Sequence, residues 1–431
     1  MAYPVMAGSI ATTLINITDS AFLGRIGEVE LGAAAIGGIL YFVFVMIGMA
    51  VGTGSQILIA RRSGEKNDSA IGAIFDQSML LMLLLSILIF LLLNIILPGF
   101  LPDLIRDKQV AEAVTKFLKY RAYGIFFIMS ATVFRSFFVG IAQPRIFAYY
   151  SALMAALNIF FCFVFIYGKF GVASMSIAGA GLASSLSEAL GLVFLLIYTS
   201  TRKNIGTYRL FRFDSLSQSM NNKIISLSAP LVVQNLLSML GWFFFFLFIE
   251  KSGKHQLAIS NAVRGVYMIA MTPIWGYSVA ANSMISNLIG QSRSDEVIKF
   301  LNRILVLAFV TSFLSSVVAF LLRTQLLQIF TDDALLIRDS IGSLNVVLLS
   351  MYVFSISIVM VSAVSGTGAT QVALRIELVA IFIYMIYIYA TTLKYHCSIE
   401  VVWMSEFVYW LIIFAASYYY LKGLKWQKIK V

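Results

Sequence analysis

Apolar runs long enough to cross a bilayer recur along this chain from end to end, and few architectures tolerate that pattern. A helix needs about 20 consecutive apolar residues to span the hydrocarbon core. Twelve runs near that length are marked out: 4–23, 31–60, 74–101, 117–141, 146–167, 174–199, 226–249, 257–289, 299–322, 339–364, 371–393 and 399–421. A transmembrane barrel would show short alternating segments, whereas these runs are continuous. Only 12% of the residues are charged, about half the share of a soluble protein. The reading is an all-α polytopic membrane protein with about twelve transmembrane helices.

The charge that remains is arranged. The longest polar segment runs from Thr201 to Lys223 and holds Arg202, Lys203, Arg209 and Arg212. Basic residues collect in cytoplasmic loops, so this linker is placed in the cytoplasm. Arg61, Arg62, Lys66, Arg145, Arg293, Lys299 and Arg303 fall on the same side, with Lys422, Lys425, Lys428 and Lys430 of the tail. A mixed patch from Arg106 to Arg121 falls on the other. An even number of spans then puts both termini in the cytoplasm, in a cytoplasmic (inner) membrane. The net charge of +11 follows from these loops, and no basic stripe interleaved with aromatics suggests nucleic acid. The segment Met1-Ala-Tyr-Pro-Val lacks a basic n-region and the first run carries Asn16 and Asp19. It is expected to be a retained span rather than a cleaved signal peptide, and a cytoplasmic leader ahead of it is compatible.

The two halves are repeats. Pro4 and Pro230, Gly27 and Gly253, Leu31 and Leu257, Gly64 and Gly290, and Gly140 and Gly366 each stand 226 positions apart. Later the offset falls to 218, where Ser187-Glu188 meets Ser405-Glu406. Six spans per half give corresponding helices the same orientation, a parallel repeat about the membrane normal. The expected division is an N-terminal six-helix lobe over 1–200, a linker over 201–223 and a C-terminal six-helix lobe over 224–431. Transporters of that build place their site between the lobes and expose it to each side in turn.

One carboxylate breaks the first apolar run. Ser9, Thr12, Asn16 and Asp19 share a helical face by their spacing. A carboxylate in hydrocarbon costs a few kcal/mol or more, so Asp19 should face a bundle interior or a wet cavity. In the repeat, Asn16 and Asp19 correspond to Trp242 and Phe245, so this acid belongs to one lobe. The expected role is ion coupling; the structural alternative is a helix-to-helix hydrogen bond. Two cysteines and two histidines, with no zinc-ligand spacing among them, offer little to a metal, and His396-Cys397 reads as a solvated turn.

Here the residues reach a family. Asn16-Ile-Thr-Asp19-Ser-Ala-Phe-Leu-Gly-Arg-Ile-Gly27 resembles the first-helix signature of the multidrug and toxic compound extrusion (MATE) transporters. Gly64 after Ile59-Ala-Arg-Arg, Gly179-Ala-Gly-Leu-Ala-Ser184 and Ser286-Asn-Leu-Ile-Gly-Gln291 are similar to its later motifs. The resemblance covers essentially the whole chain. It implies two six-helix lobes around a central cavity and efflux driven by entry of H⁺ or Na⁺. It makes Asp19, Asn16, Asn158 and Ser184 the candidate ion-coupling residues, with Asp19 and Asn158 as metal ligands only if the ion is Na⁺. The family often carries an Asp four residues after the position of Asn158; Cys162 stands there, which favours H⁺. Its seventh-helix Glu is replaced here by the Gln234–Ser238 region, and its Asp near the tenth-to-eleventh turn by Ala369.

Other intramembrane polar groups carry open questions. Glu377 either replaces the missing second-lobe acid or sits solvated near the surface beside Arg375. Arg264 shares a face with Asn261 and needs a partner, for which Asp19, Glu377 and Glu188 are candidates. Arg135 raises the same question. Glu188 and Glu406 are repeat equivalents, which favours a shared structural role. Pro273 should kink the eighth span. An organic cation would suit aromatic faces, with Tyr41, Trp242 and Tyr384 first, and Arg264 and Glu377 as polar cavity groups.

The expectation is therefore a cation-coupled (H⁺ or Na⁺) antiporter that exports organic cations, using no cofactor beyond the coupling ion. Its partners would be a small organic cation and membrane lipid, without nucleic acid, and it would act as a monomer. A flippase for a lipid-linked precursor is the alternative of the same wider superfamily. A membrane-embedded enzyme would need a cluster of catalytic groups that the sequence lacks. A Gly-Lys-Ser/Thr nucleotide loop is absent too.

Overall fold

The computed structural model describes residues 4, 6, 8, 11, 15, 18, 19, 21–214 and 216–429. Ser9, Thr12 and Asn16 therefore lie outside the described residues. The first-span residues that are described, up to Gly24, are helical. Beyond them, ten helices are long and apolar enough to cross a membrane, and an eleventh span is a pair bent by 50°. That pair, Lys108–Arg121 and Gly124–Gly140, corrects the sequence reading of the fourth span as one rod over 117–141. The charged patch after Arg106 is mostly helix rather than loop.

The chain forms two compact units, Tyr3–Ser228 and Ala229–Val431. The boundary falls inside the helix Gln218–Ser252, so the linker and the first turns of the seventh span pack with the N-terminal unit.

The repeat reaches down to single hydrogen bonds. The second span is Glu28–Gly64 and the eighth is Lys254–Gly290, each 37 residues. Both end in a left-handed residue 226 positions apart, Lys66 at φ 56° and Ser292 at φ 61°. The helix carbonyls at Ser63 and Ile289 receive the amide protons of these two residues at 3.1 and 3.0 Å. After the fourth and tenth spans, Ala142 at φ 63° and Gly368 at φ 94° repeat the turn. Asp107 and Asp333, again 226 apart, each cap a helix by accepting two backbone N–H groups, at 2.8 and 3.3 Å and at 2.9 and 3.3 Å. A capping acid satisfies donors that the first helical turn leaves free.

Gly140 and Gly366 show why one glycine match exists. A Cβ on Gly366 would lie 2.5 Å from the backbone oxygen of Asn282, and one on Gly140 would lie 2.5 Å from Ile59 Cγ2 and 3.2 Å from the Ala60 nitrogen. Each glycine lets two spans of its own unit approach closely. Gly366→Ala is expected to cost about 1–3 kcal/mol, the range for overpacking. Gly140→Ala should cost less, because its first obstacle is a side chain. Melting temperatures in detergent test the ranking.

The linker is tied down by a buried acid. Asp76, 3% exposed, accepts the backbone N–H groups of Phe211, Arg212 and Phe213 at 2.7, 2.9 and 2.9 Å. Beside it, Gln77 Oε1 accepts the Ser217 amide at 3.0 Å and its Nε2 donates to Asn221 at 2.5 Å. Hydrogen bonds to a charged group contribute about 1.5–3 kcal/mol. Asp76→Ala should open the linker, and trypsin should cut at the exposed Arg209 and Arg212 roughly tenfold faster, as read by limited proteolysis and mass spectrometry.

Candidate functional site

In the N-terminal unit three spans bring together three of the predicted ion-coupling residues, Asp19, Asn158 and Ser184. Asn158 and Cys162 stand one turn apart on the fifth span, Arg145–Tyr167, buried at 1% and 0% exposure. The Cys162 thiol lies 3.2 Å from Asp19 Oδ1 and 3.9 Å from Asn158 Oδ1. Having one proton, it donates to one of them at a time. Asn158 Nδ2 donates to Ser184 Oγ on the sixth span at 3.1 Å. The result is a chain from Asp19 through Cys162 and Asn158 to Ser184, with Asp19 itself half-buried.

One turn past Ser184, a second carboxylate is committed elsewhere. Arg121 donates to both oxygens of Glu188, at 2.7 and 2.6 Å. Its guanidinium also lies 3.8 Å from the centroid of the Tyr41 ring. The Tyr41 hydroxyl donates to Glu188 at 3.5 Å. Tyr41, proposed from sequence as a face for an organic cation, thus already holds an internal one.

The C-terminal unit repeats part of this and changes the rest. Tyr267 and Glu406 are the repeat partners of Tyr41 and Glu188, and the Tyr267 hydroxyl donates to Glu406 at 3.1 Å. No arginine joins them: the position of Arg121 is Val347, and Trp410 Nε1 donates instead, at 3.0 Å. Trp242 is half-buried and stacks on Tyr267 with centroids 6.2 Å apart. Tyr384 is buried between Phe245 and Tyr409, at 6.2 and 5.4 Å.

Glu377 is not a surface group paired with Arg375. It is 2% exposed, and Ser238 Oγ donates to Oε1 at 2.6 Å while Gln234 Nε2 donates to Oε2 at 3.4 Å. The Tyr409 hydroxyl makes a further short bond to Oε1. Arg264 likewise departs from expectation. Among the described residues it pairs with none of Asp19, Glu188 and Glu377; its guanidinium lies over the Phe246 ring, 4.7 Å from the centroid. A ring face holds a guanidinium without a counter-ion. Arg135 is half-buried, with no ion pair among the described residues.

Both histidines line a polar pocket of about 460 Å³ in the C-terminal unit, with Lys251, Asp339, Cys397 and Glu400. His255 pairs with Asp339 there at 3.0 Å. Among the described residues no three His, Cys, Asp or Glu side chains converge on a metal position.

Sequence reasoning missed Arg121, Asp76 and Tyr409. For Arg121 a signal existed: it is the last cation of the charged patch before an apolar span, with an acid on the same lobe's sixth helix.

Two halves of like build, each burying carboxylates inside membrane-spanning helices, are the architecture of transporters made of parallel repeats. The chain belongs to the MatE family, whose model matches residues 4–164 and again 230–390, once per repeat. It is similar to the probable multidrug resistance protein NorM of Thermotoga maritima, at 22% identity over 393 residues, covering 89% of this chain and 82% of that one. The protein of the same name from Photorhabdus laumondii is 23% identical over 337 residues, covering 77% and 73%. Among solved structures, MATE in complex with MaL6 superposes with a TM-score of 0.91 at 18% identity, covering 99% of this chain and 96% of that one. A multidrug resistance MATE family transporter of the MOP superfamily in its outward-facing conformation gives 0.91 at 18% identity, covering 99% and 95%. The all-α polytopic reading stands, and the protein is a transporter rather than an enzyme.

Proposed function

We propose that this transporter is a proton-coupled antiporter that exports organic cations by alternating access, with Asp19 as the coupling acid. The Cys162 thiol against Asp19 Oδ1 at 3.2 Å carries the reading. Sodium favours several hard oxygen ligands, and the place beside Asp19 and Asn158 holds a soft sulfur instead. A proton needs only the carboxylate. Open to the outside, Asp19 takes a proton, which removes its charge and the cost of keeping that charge away from water. The neutral acid then holds a cationic substrate less well, and the substrate leaves. Facing the cytoplasm, Asp19 releases the proton and a new cation binds. The names of the NorM relatives support a multidrug substrate range. The positive-inside pattern supports an inner-membrane placement with both termini cytoplasmic.

The test is efflux of a fluorescent organic cation from vesicles under a pH gradient or a Na⁺ gradient imposed separately. Efflux under the pH gradient alone is expected. Efflux under Na⁺ alone would return the site to Asp19 and Asn158 as sodium ligands. No efflux under either would move the substrate class to lipid-linked precursors.

A further inference from the structure

The described residues bury five carboxylates or place them at the interior of a unit, and their partners sort them. Glu188 has a fixed cation in Arg121. Asp76 holds three backbone N–H groups. Both are committed as acceptors to buried donors that would be stranded without them. Glu406 receives Trp410 N–H, which can only donate, and the Tyr267 hydroxyl. Asp19 belongs to the site already described. Glu377 differs from all of these, because its surroundings suit both of its protonation states.

The key is Ser238. Its Oγ lies 2.6 Å from Glu377 Oε1 and 3.0 Å from the backbone oxygen of Gln234, one helical turn earlier. With Glu377 ionised, Ser238 donates to the carboxylate, as do Tyr409 and Gln234. With Glu377 protonated, the carboxyl O–H donates to Ser238 Oγ, and Ser238 turns its own hydrogen to the Gln234 carbonyl. Protonation keeps every hydrogen bond of the carboxyl group and adds the one to the Gln234 carbonyl, and no heavy atom has to move. Around it, the seventh span between Lys223 and Glu250 and the tenth between Asp339 and Gly366 carry no charged residue. The titratable or charged groups on the packed elements are Tyr352 on the tenth span, Glu400, Glu406, Tyr409, Tyr418, Tyr419, Tyr420 and Lys422 on the twelfth, and Arg375, Tyr384, Tyr387 and Tyr389 on Glu377's own helix; none forms an ion pair with Glu377 among the described residues.

We infer that Glu377, with Ser238 and Tyr409, is a second proton-carrying site, placed in the C-terminal unit. Repeat register shows that it is not a copy of the first. Gln234, Ser238, Glu377 and Tyr409 correspond to Gly8, Thr12, Ser151 and Gly191. In turn Asp19, Cys162, Asn158 and Ser184 correspond to Phe245, Ile388, Tyr384 and Val402. Each half has its acid site at positions where the other half has none. On the shared first helix of the repeat, Asp19 falls at the register of Phe245, seven residues beyond Ser238, or about 10 Å of helix rise. The two acids thus occupy different depths of the repeated bundle.

The role of this site in transport rests on the proton-coupled reading; its ability to bind a proton does not. The experiment therefore reads protonation directly. Infrared difference spectra of the full-length protein in proteoliposomes are recorded across pH for wild type, Glu377→Gln, Asp19→Asn and Ser238→Ala. A carboxyl C=O band should grow on acidification, vanish in Glu377→Gln and persist in Asp19→Asn. Ser238→Ala should keep the band and move its pH profile, which a merely structural serine would not do. In pH-driven efflux, Glu377→Gln should lower the number of protons moved per cation. If Glu377→Gln leaves the spectra unchanged, the inference is overturned. Should Glu377→Gln not fold, an unmoved band profile in Ser238→Ala overturns it equally. A normal Glu377 band in a protein that shows no pH-driven efflux would overturn the proposed function and leave this site standing.

Discussion

Vesicles carrying Asp19→Asn should lose pH-driven efflux by on the order of a hundredfold while the protein folds normally. The size follows from the bilayer. A charged Asp at the centre of a membrane helix costs about 2.5–3.5 kcal/mol. Switching that cost off and on is what a coupling proton does. An amide cannot be switched, so the differential between the two states disappears, and 1.4 kcal/mol corresponds to about tenfold. Folding should survive because the amide oxygen of Asn still accepts from Cys162, which lies 3.2 Å from Asp19 Oδ1. Substrate binding measured by fluorescence should weaken toward that of the neutral acid, with its pH dependence flattened. Gradient-driven efflux at the wild-type rate in this variant would remove Asp19 from the coupling role.

The second large effect concerns stability. Arg121→Leu leaves Glu188 without its bidentate partner in a place where the two side chains are 13% and 6% exposed. Breaking a buried pair from one side typically costs about 3–5 kcal/mol, because the remaining charge is stranded. Protonation of Glu188 would relieve part of that, so a value near the lower end is expected. The double variant Arg121→Leu/Glu188→Leu should recover most of the loss, since apolar replacement of both partners is often neutral. Thermal unfolding in detergent measures both variants against wild type. A single variant as stable as wild type would mean that the pair does not hold the fourth and sixth spans together. The C-terminal unit already shows the alternative solution, with Val347 at the arginine's place and Glu406 held by a tyrosine and a tryptophan.

How much of this was legible depends on the kind of interaction. The repeat could be read from single glycines and prolines, because backbone demands are local: Gly253 at φ 129° and the close approach at Gly366 tolerate few other residues. The grouping of Asp19, Asn158 and Ser184 was also legible, through the family's motifs. What escaped was the middle of the chain of contacts. Cys162 read as a defect in an oxygen cage, and its thiol proves to be the link between Asp19 and Asn158. Tyr409 was one of 20 tyrosines, and nothing in its neighbours on the sequence marks the one that meets Glu377. The bend after Arg121 has no proline to announce it. Arg264 was expected to seek an acid, and charge counting cannot see that the Phe246 ring would serve.

The 226-residue register has a practical consequence. A point mutation in most proteins has no reference except the wild type. Here a substitution at several positions has a twin at the matching register within the same molecule: Asp107 with Asp333 at a helix cap, Gly140 with Gly366 at a crossing, Tyr41 with Tyr267 beside an acid. The same change made at both places shares its membrane, its detergent and its unfolded chain. The difference between the two readings isolates what the surroundings of each site contribute, so the duplicated half serves as a built-in calibration standard.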